Sequence, residues 1–138
     1  AGRLARAAEL AAEARRLQAR VAPLAQADAA GYQAVMEARR LAPGTPGRAD
    51  KIAAALSAAS AVPIQIVETG VEVAGLAARL AEEGNANLRG DAETAVLLAA
   101  AGARAAGGLV AINLAGADAD DRSAQVARLL RTLPPAAG

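Results

Sequence analysis

The chain has 138 residues, 44 of them alanine, with 15 basic and 14 acidic side chains for a net charge of +1; it contains a single Tyr and no His, Cys, Trp or Phe. These absences exclude Ser-His and Cys-His nucleophilic machinery, thiolate zinc sites, disulfides and imidazole acid–base catalysis. Carboxylates, Lys, Arg, amides, hydroxyls, Tyr32 and backbone groups remain as the available chemistry. Mixed charge without a basic stripe or aromatic platforms speaks against nucleic acid as a partner. The low net charge argues against disorder, and the length suits one domain over 1–138. The segment from Ala1 to Arg6 has no apolar signal core, and with the lack of Cys this makes a cytoplasmic protein the expectation.

Alanine richness and apolar spacing near 3.6 predict helix throughout, hence an all-α, antiparallel up-and-down bundle. The first helical segment is predicted over about Arg3 to Leu41. Leu10, Ala14, Leu17, Val21, Leu24, Tyr32 and Val35 lie on its apolar stripe, and Pro23 kinks or divides it. Ala42-Pro43-Gly44-Thr45-Pro46-Gly47 is a firm stop. The next helix is expected from Arg48 to Ala61, with Ile52, Ala55, Leu56 and Ala59 inward, ended or kinked by Val62-Pro63. A further helix, Ile64 to Glu83, turns Ile66, Val73, Leu76 and Leu80 to the core, with Gly84 as a left-handed C-cap. After a loop from Asn85 to Gly90, Asp91 is the expected N-cap of a helix over Ala92 to Ala106, with Val96, Leu97 and Ala100 on its apolar face. Gly107-Gly108 is expected to break or bend it. Asp118 to Ser123 opens a last helix that runs to about Leu133, before Pro134-Pro135.

The weakly charged stretch Ala95 to Ala117 approaches the length of a membrane span, but it is rich in Ala and Gly and contains Arg104 and Asn113. The expected reading is therefore a helix buried on most sides of a soluble bundle, not a membrane anchor. A core built on alanine buries little apolar area per helix, so a homodimer sharing a helical face is expected.

Asp28 is the most informative position, because it falls inside the apolar stripe between Val21, Leu24 and Val35. A carboxylate there requires a partner, a raised pKa or a polar groove. Tyr32, one turn on, could donate a hydrogen bond to it. The alternative is an Asp tied to a backbone amide or to an Arg of another helix. Arg39, Arg40, Arg48 and Lys51 flank the Pro/Gly turn and suit an acidic ligand, with Lys51 available for proton transfer; equally, they suit solvated helix ends. Asn85, Asn87 and Asp91 combine amides and a carboxylate fit for a heterocycle, or serve only as caps. Asn113 sits in an apolar run and needs a buried partner or a polar groove.

In order, Asp28-Ala-Ala-Gly-Tyr32-Gln-Ala-Val-Met-Glu-Ala-Arg39, a Pro-rich turn, Ala61-Val-Pro63-Ile, Gly84-Asn85-Ala-Asn87-Leu-Arg-Gly-Asp91 and Ile112-Asn113-Leu114 resemble the cyclodeaminase/cyclohydrolase family. The resemblance covers roughly Glu9 to Leu133. It implies an all-helical homodimer that takes a tetrahydrofolate derivative as its substrate, without a metal or covalent cofactor. The implied reaction is either cyclisation of 5-formimino-tetrahydrofolate with release of ammonia or hydrolysis of 5,10-methenyl-tetrahydrofolate to the 10-formyl form. On that basis Asp28 is the general acid/base, Tyr32 supports it and Lys51 assists. Arg39 or Arg48 attracts the glutamate carboxylates, and Asn85, Asn87, Asp91 and Asn113 line the pterin site. The chain departs from the family pattern at Gly90, where Ser is usual, and at Leu109-Val110, where Asn-Val is usual. It also lacks the usual Gly-rich segment before the first helix, so an upstream helix is expected. The alternative from another class is a non-catalytic folate-binding or scaffold module with the same fold.

Overall fold

The computed structural model describes residues 2–117 and 120–135, with side chains from Arg6 onward. Its helices are α1 (Gly2–Val21), α2 (Leu24–Arg40), α3 (Arg48–Ala59), α4 (Ala61–Glu83), α5 (Arg89–Asn113) and α6 (Asp121–Arg131), with a 3₁₀ turn at Ala86–Leu88 before α5. No strand occurs among the described residues, and the all-α bundle expected from the apolar periodicity is the fold.

Pro23 divides the first segment into α1 and α2, because it has no N–H to continue the ladder. Of the predicted stripe, Leu17, Leu24 and Val35 are buried, whereas Val21 and Tyr32 are exposed. The turn between α2 and α3 is placed as expected, with Gly44 and Gly47 at φ of 86° and 71°, whereas the next break falls at Ser60, between α3 and α4, and not at Val62-Pro63. Pro63 falls inside the first turn of α4 instead of before it. First-turn N–H groups have no intrahelical acceptor, so proline costs little there.

The antiparallel pair α4–α5 is the spine of the bundle. Gly70 permits its close approach: a Cβ at that position would lie 3.0 Å from the Ala103 Cβ and 3.2 Å from the Ala99 carbonyl oxygen. At one end of the spine, α6 covers a core of Val67, Ala106, Val110, Leu114 and Val126, with Ile64, Ile66, Val71, Leu129 and Leu130 around it. Here the expected break at Gly107-Gly108 is corrected, because α5 runs straight through both glycines. Mid-helix glycine costs about 1 kcal/mol. That cost is offset by packing, since a Cβ on Gly107 would stand 2.8 Å from a methyl of Leu130 and 3.3 Å from one of Val126.

Other local expectations are also corrected. Gly84 is extended, with φ of −82° and ψ of −163°, not left-handed. It is glycine for a steric reason, because a Cβ would come 2.3 Å from the Leu80 carbonyl oxygen. Asp91 lies within the first turn of α5 and does not cap it; the helix begins at Arg89 directly from the 3₁₀ turn. Asp120 caps α6 by accepting the Arg122 N–H at 2.9 Å, while Asp118 lies outside the described residues.

The stretch expected to be buried on most sides is instead buried on one. Leu97, Leu98, Leu109 and Ile112 form an exposed row along α5, with Leu98 70% and Ile112 69% accessible. Among the described residues these side chains are left largely uncovered. By length and composition two helical stretches, Arg48–Glu83 and Ala86–Asn113, could cross a membrane.

Candidate functional site

The positions of interest on α2 share one face because their spacing of four, three and four residues follows the helical repeat. Asp28, Tyr32, Val35 and Arg39 thereby form one wall of a groove. Leu56 and Ala59 of α3 and Pro63 of α4 make its floor, and Leu109, Ile112 and Asn113 of α5 make the opposite wall. Its volume is about 290 Å³, near the lower end of the roughly 300–1,000 Å³ usual for small-molecule pockets. Apolar surface predominates, and the carboxylate, phenol, guanidinium and amide are spread across it.

Asp28 is half-buried, and neither Tyr32 nor any other described group donates a hydrogen bond to its carboxylate. Its carboxylate instead borders the mostly apolar groove. Tyr32 is 64% exposed at the rim. Asn113 is the last residue of α5 and partly buried, so its amide is available to a ligand in the groove. Leu109, at the position where the resembling family has Asn, contributes an apolar surface.

The remaining candidates lie elsewhere. Arg48 donates from Nε to the Leu41 carbonyl at 2.8 Å and from Nη2 to the Arg39 carbonyl at 2.9 Å. Its guanidinium thus closes the end of α2, where unpaired carbonyls and the helix dipole favour a cation. Lys51 is exposed on α3, outside the groove lining. Asn85 caps the 3₁₀ turn by accepting the Asn87 N–H at 3.0 Å. Asn87 and Asp91 are exposed at the start of α5. At about 1.5 Å per residue, Asp91 and Asn113 stand roughly 30 Å apart along α5. The loop and the groove therefore occupy opposite ends of the molecule.

A second cavity of about 600 Å³ adjoins that loop, lined by Arg6, Leu10, Arg79, Leu80, Glu83 and Asn85 among others. It is larger, but its cations are neutralised: Arg6 pairs with Glu83, and Arg79 with Glu13 at 2.9 Å. The groove holds the groups able to move protons, so it is the stronger candidate. Among the described residues no group of His, Cys, Asp and Glu is arranged to hold a metal ion.

Beside the groove lies one feature that no sequence motif signals. Arg122 of α6 donates from Nη1 to the Ser57 carbonyl at 2.9 Å and from Nη2 to the Ser57 Oγ at 2.8 Å. The same guanidinium is gripped by Asp120, with Nη2 to Oδ2 at 2.6 Å. Those side-chain bonds, then the Arg122 backbone N–H, hold the Asp120 carboxyl down at about 2, and the same side-chain bonds raise Arg122. An acidic N-cap two residues before an arginine is the only local signal, and it does not reveal the partner sixty-five positions away.

A family model described as formiminotransferase-cyclodeaminase matches residues 3–131. A methenyltetrahydrofolate cyclohydrolase from Methylorubrum extorquens is 41% identical over 95 residues, covering 66% of this chain and 46% of that protein. The chain thus spans less than half the length of that relative.

Proposed function

The chain belongs to the formiminotransferase-cyclodeaminase family, and from that premise we propose that it acts on a one-carbon derivative of tetrahydrofolate held in the groove between α2, the α3–α4 junction and α5. The observation that carries this reading is the convergence of Asp28, Tyr32, Arg39 and Asn113 on one apolar cleft. A flat heterocycle gains from the Val35, Leu56, Pro63 and Ile112 walls, and the amide of Asn113 offers both a donor and an acceptor to its edge. The small volume suits the ring system, with the glutamate tail leaving past Arg39. Since Arg48 is engaged by the turn, Arg39 is the cation proposed for that tail.

Hydrolysis of the methenyl form is the preferred reaction, because the similar protein bears that name. Water adds to the carbon that bridges N5 and N10, and Asp28 accepts its proton as the C–O bond forms. Asp28 then delivers a proton to N5 as the C–N5 bond breaks and the added hydroxyl loses its remaining proton to solvent, so that the formyl group stays on N10 and one proton is released overall from the cationic methenyl form. The same groove suits cyclisation of the 5-formimino form: N10 attacks the formimino carbon, and Asp28 passes the N10 proton to the departing ammonia. Tyr32, one helical turn away, is placed to hydrogen-bond the same centre.

Asp28→Asn is expected to retain the fold and lower turnover by roughly 10²- to 10⁴-fold, followed by loss of methenyl-tetrahydrofolate absorbance. An unchanged rate removes Asp28 from the mechanism. Folate-induced thermal stabilisation of the wild-type chain without turnover favours a non-catalytic binding module, and neither signal favours a scaffold.

The reading includes a homodimer. The exposed row Leu97, Leu98, Leu109 and Ile112 on α5 runs into the groove, since Leu109 and Ile112 belong to both. A bilayer is the poorer cover for it, because Arg104 is exposed within the same stretch and a charge at mid-membrane costs about 2.5–3.5 kcal/mol even on insertion scales. A second copy packed antiparallel along the row, with its twofold axis near the middle, would bring its Asn85–Asp91 loop towards the first copy's groove. This arrangement would unite the two halves of the site that one chain holds apart.

A further inference from the structure

We propose that Arg122 is a positioning residue for the folate groove, acting through Ser57 to hold the last turn of α3 against α6. The inference rests on the reading of the groove as the folate site. Leu56 and Ala59 form the groove floor, and Ser57 lies between them in the chain. In that turn the carbonyls have lost their helical partners. The Leu56 carbonyl accepts the Ser60 hydroxyl at 3.1 Å, and the Ser57 carbonyl takes a long bond from the Ser60 N–H at 3.3 Å together with Nη1 of Arg122 at 2.9 Å. Arg122 also takes the Ser57 hydroxyl as an acceptor. One planar cation therefore ties both polar groups of Ser57 to a helix that lies outside the groove.

The tie is stiff because the guanidinium is itself fixed. Asp120 engages Nε at 3.0 and 3.1 Å and Nη2 at 2.6 Å, and it simultaneously caps α6 through the Arg122 backbone N–H. A lysine carries the same charge but cannot span two acceptors on Ser57 and a carboxylate with a fixed fork. None of these groups lines the groove, so none touches the substrate. Their effect is on the placement of Leu56 and Ala59, hence on binding more than on the proton transfer at Asp28.

The test uses Arg122→Ala, Arg122→Lys and Ser57→Ala in the full chain, with steady-state kinetics on methenyl-tetrahydrofolate. For Arg122→Ala the expected result is a KM raised roughly tenfold with kcat within about twofold, as loss of uniform binding gives. Arg122→Lys should show the same defect, Ser57→Ala a smaller one, and added guanidinium ion should restore Arg122→Ala. Tyr32 supplies a readout that needs no turnover: it is the chain's one aromatic residue and stands at the groove rim, so its quenching by acrylamide should rise in Arg122→Ala. If Arg122→Ala fails to fold, Arg122→Lys and Ser57→Ala carry the comparison. Unchanged KM and unchanged Tyr32 quenching in folded variants overturn the proposal, as does a fall in kcat at constant KM. Absence of both turnover and folate-induced stabilisation in the wild-type chain refutes the folate reading instead, and the Tyr32 comparison still decides the role of Arg122.

Discussion

At the scale of single residues, the placement of charge separates groups that work for the fold from groups left for a ligand. Arg48 and Arg122 both spend their guanidinium on carbonyls at helix ends, whereas Asp28, Arg39 and Asn113 border the groove without such partners. Asp120 belongs to the first kind, and its carboxyl, held at about 2 against an ordinary 3.8, makes a pH-dependent contribution. A lowered folded-state pKa stabilises fully above the unfolded value and ceases to do so as pH falls through the folded one. The difference in melting temperature between wild type and Asp120→Asn is therefore expected to be constant above about pH 4 and to vanish towards about pH 2. A difference that persists at the acid end would mean that the cap, not the charge, carries the effect. Asp28 could be singled out from the sequence because a carboxylate interrupts an apolar stripe. Arg122 could not, because its partner is distant in the chain.

At the scale of elements, the helices are held by unequal means. The α4–α5 pair depends on the absence of side chains at its contact, so Gly70→Val is expected to destabilise by about 1–3 kcal/mol, read by denaturant unfolding. A neutral outcome would show that the two helices can separate at no cost. By contrast, among the described side chains of α1 only Leu17 is buried, and the helix is fastened antiparallel to α4 by Arg6–Glu83, Glu13–Arg79 and Arg20–Glu72. Exposed pairs are each worth about 0–1 kcal/mol and weaken as the Debye length shrinks. Raising salt from about 0.1 to about 1 M should speed amide exchange in α1 while leaving α4 and α5 protected. Equal exchange at both salt concentrations would show that α1 is held by its apolar contacts.

At the scale of the whole molecule, the distance between loop and groove decides what one chain can do alone. If a second copy supplies Asn85, Asn87 and Asp91 to the groove of the first, two defective chains should complement each other. Mixing Asp28→Asn with Asp91→Ala chains is then expected to recover about a quarter of wild-type activity, because about half the dimers are mixed and each has one intact site. Activity that remains at the level of the separate variants would place each complete site within one chain. The same exposed row on α5 that motivates the dimer also explains why a chain so rich in alanine shows a sparse core.

Local chemistry was sufficient for much of the architecture. Alanine content and apolar spacing established the helices, Pro23 and the Pro/Gly turn their divisions, and the ordered motifs from Asp28-to-Arg39 through the Asn85–Asp91 loop to Ile112-Asn113-Leu114 carried the resemblance to the family that matches. These features depend on a few neighbouring residues, so they can be read along the chain. Packing between distant segments decided the rest. It kept α5 helical through Gly107-Gly108 because Leu130 and Val126 occupy the space a side chain would need, and it joined Arg122 to Ser57. It also assembled Asp28 and Asn113 into one groove while holding Asp91 at the far end of the same helix. Each of those outcomes depends on which surfaces meet in space, and helical periodicity specifies a face without specifying what covers it.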